Sequence, residues 1–192
     1  MSALILGLLM FLGMHSTRIF AEGWRTQVIA SKDPGAWKGL YTVVSLVGFG
    51  LIIWGYGMAR EQPVVLWAPQ LWARHLAALL MVFAFILLAA AYVPKNGIKA
   101  WVHHPMVLGV KVWAIAHLLA NHTLADLVLF GSFLVWAVLD FRSSRQRDRA
   151  AGTVYAAGTA AATAITVLVG VALWAVFAFW AHGWLFGVRP FG

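Results

Sequence analysis

Seven histidines, six acidic side chains and one lysine inside an apolar run are the groups in this 192-residue chain that could do chemistry, and there is no cysteine. Disulfides, thiolate metal sites, thiolate haem ligation and cysteine nucleophiles are therefore excluded. Polar side chains within a membrane are costly and usually face a bundle interior, so the histidines inside apolar runs carry the most weight. His15 lies near the end of the first such run, followed by Ser16 and Arg18. His104 opens the fourth run just before Pro105, His117 lies near its other end, and Lys111 falls between them. His75, His103, His122 and His182 sit at the ends of runs, where a wet polar residue needs no special role.

The elements that must position these groups follow from composition. Apolar residues make up 62% of the chain and charged residues 10%, against about 45–50% and 25% in ordinary soluble domains. A water-soluble globule is excluded. The fold expected is all-α, a polytopic helical membrane protein with about six transmembrane helices in one bundle and one domain over residues 1–192. The spans fall near residues 2–20, 39–59, 76–93, 105–120, 124–141 and 161–184. No positive segment precedes the first run, which therefore reads as a retained helix rather than a secretory signal. Residues 150–188 are uncharged, and about 58 Å of helix is too long for one crossing, so the alanine- and glycine-rich start of that stretch belongs outside the core.

The formal charge is +8, but the basic residues lie in short loops between spans, where they set orientation; no nucleic-acid partner is expected. Ten of the 14 lysines and arginines follow spans one, three and five, against Arg60, Arg74 and Arg189 on the other side. The ten-residue side is then cytoplasmic, and both termini are periplasmic in a bacterial inner membrane. The run from Arg142 to Arg149 reads as a topology determinant and a contact for anionic lipid.

On a helix at 100° per residue, Gly109, Trp113 and His117 form one stripe, while His104 and Lys111 share another about 140° away. One flat ligand cannot be gripped by both histidines of span four. The first stripe has the character of a docking groove: a glycine for close approach, an indole to pack and an imidazole to coordinate. Paired with a histidine from another helix, it describes a two-imidazole haem site. Such a histidine needs its second ring nitrogen held by a hydroxyl or a backbone carbonyl. The plainer role for a lone intramembrane histidine is a helix-to-helix hydrogen bond. Lys111 lies about two turns from the nearer end of its span, which favours pairing or ligand contact over snorkelling, with Asp126 as the candidate partner.

The run His104-Pro105-x-x-x-Gly109-x-x-x-Trp113-x-x-Ala116-His117, the pair His15-Ser16, and Lys38-Gly39-Leu40-Tyr41 with Ser45-Leu46 resemble the NnrU family over nearly the whole chain. That family is similar in turn to the cis-ζ-carotene isomerases, membrane proteins that hold haem b. The resemblance implies haem b with His15 and His117 as axial ligands; Gly109 and Trp113 of the stripe, and Lys111, are the further candidate cofactor contacts, and His104 is the substitute ligand. Depth in the membrane alone prefers His15 with His104, or His117 with His75. A haem near the inner face would put its propionates within reach of Arg18 and Arg25.

By the same resemblance the function is associated with nitric oxide and nitrite reduction in denitrification. A haem-dependent cis–trans isomerisation of an isoprenoid is also implied, and no catalytic residue is assigned. The alternatives are a non-catalytic assembly factor for a respiratory complex and a membrane methyltransferase. A histidine-proline pair also opens a helix in the isoprenylcysteine methyltransferases, although His103 stands here where that family has arginine. The partners expected are the bilayer, haem, nitric oxide or an isoprenoid, and either other membrane proteins or a second copy of the chain.

Overall fold

Apolar runs bounded by proline, asparagine and glycine become helices throughout. The computed structural model describes residues 1–191 and contains helices α1 Ser2–His15, α2 Thr17–Phe20, α3 Glu22–Ser31, α4 Pro34–Glu61, α5 Leu71–Tyr92, α6 Gly97–Val102, α7 Pro105–Ala120, α8 Leu124–Ala150, α9 Ala160–Val176 and α10 His182–Phe186. A π-helical turn, Phe177–Ala181, joins the last two. No named strand occurs among the described residues. Four helical segments are long and apolar enough to cross a membrane: Pro34–Glu61, Leu71–Tyr92, Leu124–Ala150 and Ala160–Phe186. α1 and α7 are apolar but have 14 and 16 residues, about 21 and 24 Å of helix against a hydrocarbon core of about 30 Å.

The caps explain where several helices begin. Asp33 accepts from the amides of Gly35 at 2.7 Å and Ala36 at 3.2 Å, with Pro34 in the first turn, so α4 starts ahead of the expected Gly39. Pro105 opens α7 in the same way, and this helix has the bounds expected of span four. Two elements depart from expectation. Residues 22–31, read as loop, form α3, and α8 continues past Phe141 through the arginine run to Ala150. Arg147 explains part of this continuation, because its guanidinium donates to the hydroxyls of Ser143 and Ser144, one turn back, at 2.6 and 2.7 Å.

The chain divides into two compact units. The first comprises Met1–Ala68 with His122–Asp140. Its centre is the packing of α1 on α4, where glycines remove the side chains that would hold the helices apart. A Cβ on Gly7 would lie 2.6 Å from the Ile52 amide nitrogen, and one on Gly48 would lie 2.8 Å from that of Phe11. Leu4 and Leu8 are buried there. Beyond α4, the loop pairs with the start of α8 through Leu66 N–H to His122 O and Leu124 N–H to Val64 O.

The second unit comprises Pro69–Asn121 with residues 141–191. Here α5 packs on both α7 and α9. Gly170 of α9 meets the backbone of Ile86, with 2.9 Å from its would-be Cβ to the Ile86 nitrogen. Buried Asn96 stitches the α5–α6 turn: its side chain donates to Ala90 O at 3.0 Å and accepts from Lys99 N at 2.7 Å. Gly97 N–H donates to Thr163 Oγ1 at 2.8 Å and so ties α6 to α9. Large apolar side chains such as Leu9, Leu46, Trp54, Phe83 and Leu168 stay exposed, the surface that lipid covers in a membrane protein.

Candidate functional site

Each unit carries a histidine whose Nδ1 is held by the carbonyl four residues earlier. In the first unit, His15 is the last residue of α1, and its Nδ1 lies 2.7 Å from the carbonyl oxygen of Phe11. A carbonyl can only accept, so Nδ1 carries the proton and Nε2 keeps its lone pair. Nε2 has no hydrogen-bond partner among the described residues. The imidazole stacks on Phe11 with centroids 4.1 Å apart, lies 5.1 Å from the Tyr41 ring, and meets Trp136 edge-on at 6.0 Å. Trp136 Nε1, beside it, and Ser45 Oγ, one turn beyond Tyr41, are buried and unpartnered among the described residues.

In the second unit, His117 lies in the last turn of α7 with Nδ1 2.8 Å from the carbonyl oxygen of Trp113. The same argument fixes its proton on Nδ1. The Trp113 and His117 rings are 5.1 Å apart. His117 also lines a cavity of about 150 Å³ with Arg74, Met81, Phe85, Trp174 and Arg189. Part of that wall is the π-helical turn, a distortion that recurs at functional sites.

The other expected contacts have other partners. Gly109 faces α5, with Ala84 O 3.2 Å and Leu87 Cβ 3.4 Å from its would-be Cβ, so the close approach it permits is to a helix. Lys111 places its ammonium over the Phe141 ring at 4.4 Å. Asp126 does not wait for a lysine: it accepts from the Tyr56 hydroxyl at 2.5 Å and from Thr123 Oγ1 at 2.6 Å and its amide at 3.0 Å. Arg25 pairs with Glu22 at 3.0 Å and Arg18 lies 4.0 Å from the same carboxylate, so both cations already face an anion.

His104 donates from Nε2 to Asp148 Oδ2 at 2.7 Å. To ligate iron through that nitrogen it would have to give up this bond. Tyr155 donates to the same Asp148 oxygen at 2.9 Å and stacks on His103, 4.1 Å between centroids, while Arg145 reaches His103 Nδ1. Loss of solvent, and then the bond to Asp148, push the Tyr155 phenol above its ordinary pKa. His103 has a positive φ of 69°, a strained backbone for a residue with a Cβ. Tyr56–Asp126 and His104–Asp148–Tyr155 escaped sequence reading because 70, 44 and 7 residues separate the partners, and no local pattern encodes them.

Apolar helices long enough to cross a membrane, with polar groups confined to a few internal positions, define a helical membrane protein. The chain matches the model of the NnrU family, described as NnrU protein, over residues 3–190 and belongs to that family. No curated protein and no solved structure matches it. Among the described residues no group of three or more histidine or acidic side chains converges to hold a metal ion.

Proposed function

We propose that this NnrU protein binds haem b, with His15 supplying one axial imidazole and His117 the other. The observation that carries the reading is the repeated pinning of Nδ1 by the carbonyl four residues earlier, at 2.7 and 2.8 Å. That bond selects the tautomer, fixes the ring plane and raises the basicity of Nε2, which is what a haem-ligating histidine requires. Aromatic walls at Phe11, Tyr41 and Trp136 suit a flat apolar group, and the orphaned Trp136 N–H supplies a donor to it. His104, tied to Asp148, serves as a positioning group in the second unit rather than as a ligand.

Bound there, haem would supply electron-transfer, nitric-oxide-binding or electrophilic chemistry towards an isoprenoid double bond. The protein's part is to orient two neutral imidazoles and to exclude water with tryptophan, phenylalanine and leucine side chains. In this reading the protein lies in the bacterial inner membrane, with both termini periplasmic, and acts in nitric oxide and nitrite metabolism. To test it, the protein and its His15→Ala and His117→Ala variants are purified after expression with ample haem supply. Each substitution is expected to lower bound haem and shift the absorption spectrum; unchanged haem content and spectrum in both would overturn the assignment.

A further inference from the structure

The cavity beside His117 has an unbalanced charge. Arg74 of α5 and Arg189 of the C-terminal segment both line it, and neither forms an ion pair among the described residues. The second unit contains one acidic side chain, Asp148, and that carboxylate is taken by His104 and Tyr155. Two arginines lining one cavity, with no acidic side chain of the described residues paired to either, suit a carboxylate ligand.

The segment bearing Arg189 is built into the wall. His182 Nδ1 donates to Val188 O at 2.6 Å, Phe191 packs edge-on against Trp174 at 6.1 Å, and the stem of Arg189 lies where a Cβ on Gly183 would be 3.1 Å from its Cγ. Met81, Phe85 and Trp174 make the floor apolar. At about 150 Å³ the space accepts one edge of a macrocycle rather than the whole.

We infer that Arg74 and Arg189 anchor the propionates of the haem whose axial ligand is His117. This rests on the haem reading, and it takes the place of Arg18 and Arg25, which share the Glu22 carboxylate at 4.0 and 3.0 Å. An exposed arginine at a membrane surface can also meet a lipid phosphate, so the test is made in detergent and varies the propionate charge alone. Detergent-purified apoprotein is titrated with haem b and with haem b dimethyl ester, whose propionates carry no charge, and absorbance is followed.

Wild type is expected to bind haem b at least about tenfold more tightly than the diester. Arg74→Gln/Arg189→Gln is expected to lose that preference, and Arg74→Lys/Arg189→Lys to retain most of it. Equal affinity of wild type for the two porphyrins would overturn the anchor and leave the haem reading standing. Failure of wild type to bind either would remove both. The wild-type comparison needs no variant, so misfolding of a substituted chain cannot obscure the answer.

Discussion

The Nδ1 of His117 lies 2.8 Å from the carbonyl oxygen of Trp113, one helical turn earlier, and this single bond decides which nitrogen of the ring carries the proton. His15 and Phe11 repeat the relationship at 2.7 Å in the other unit. Both acceptors are backbone atoms, so substitution of Trp113 or Phe11 leaves the tautomer intact while loosening the packing around the ring.

His104 tests the choice of ligand. Because its Nε2 is spent on Asp148, His104→Ala is expected to keep the haem spectrum of the wild type. The cost should fall on stability, about 1–3 kcal/mol for the charged hydrogen bond lost, measured as a lower thermal midpoint in detergent. A spectrum that changes as it does in His117→Ala would move the ligand assignment to His104.

The glycine contact between α1 and α4 is equally open to test. Gly7→Val would place side-chain atoms against the Ile52 backbone, where even a Cβ lies 2.6 Å from the nitrogen. The helices must separate, at about 1–3 kcal/mol by the usual effect of overpacking. A midpoint lowered by about 2–4 °C per kcal/mol is expected, whereas Gly13→Ala, inside the same helix with nothing within 4 Å of the new atom, should not lower it.

Buried Asp126 joins Tyr56 to Thr123, and truncating one partner strands the others. Asp126→Leu is expected to destabilise by about 2 kcal/mol or more, since the Tyr56 hydroxyl and the Thr123 amide lose their acceptor. Added to Tyr56→Phe, the same change should cost less than it does alone, because one stranded donor is already gone. Additive effects in a double-mutant cycle of thermal unfolding would contradict the pairing.

Tyr155 supplies a pH dependence. Its phenol is raised by desolvation and by the bond to Asp148, so the folded state favours the neutral form. The stability from this group is fully present below the ordinary tyrosine pKa of about 10 and is lost as pH rises through the folded value. Asp148→Asn is expected to bring the Tyr155 transition down in an ultraviolet titration of the four tyrosines. No movement of any tyrosine transition would show that the pair does not persist in solution.

Most of the helical frame was legible in residue order. Span four could be read end to end because Pro105 opens it and Asn121 closes it, and α7 has those bounds. α3 was not legible, since its ten residues carry no strong apolar stripe. The continuation of α8 was hidden by its charge, because four arginines after Phe141 read as a loop, whereas charged residues extend a helix readily outside hydrocarbon.

Among the site residues, the expectation that a coordinating histidine has its other nitrogen held by a carbonyl could be framed from chemistry alone, and both His15 and His117 have that bond. The stripe reasoning that put Gly109 in a cofactor groove failed to see α5, because a glycine that admits a ligand and one that admits a helix look alike in sequence. Arg74 and Arg189 counted only as charges on one side, since nothing local shows 115 residues of chain returning to one cavity.

The most direct test of the central claim is the visible absorption spectrum of the purified protein, oxidised and then reduced with dithionite. Sharp α and β bands on reduction, the signature of low-spin iron between two imidazoles, are what the proposed ligation by His15 and His117 predicts. A colourless protein after expression with abundant haem would contradict it.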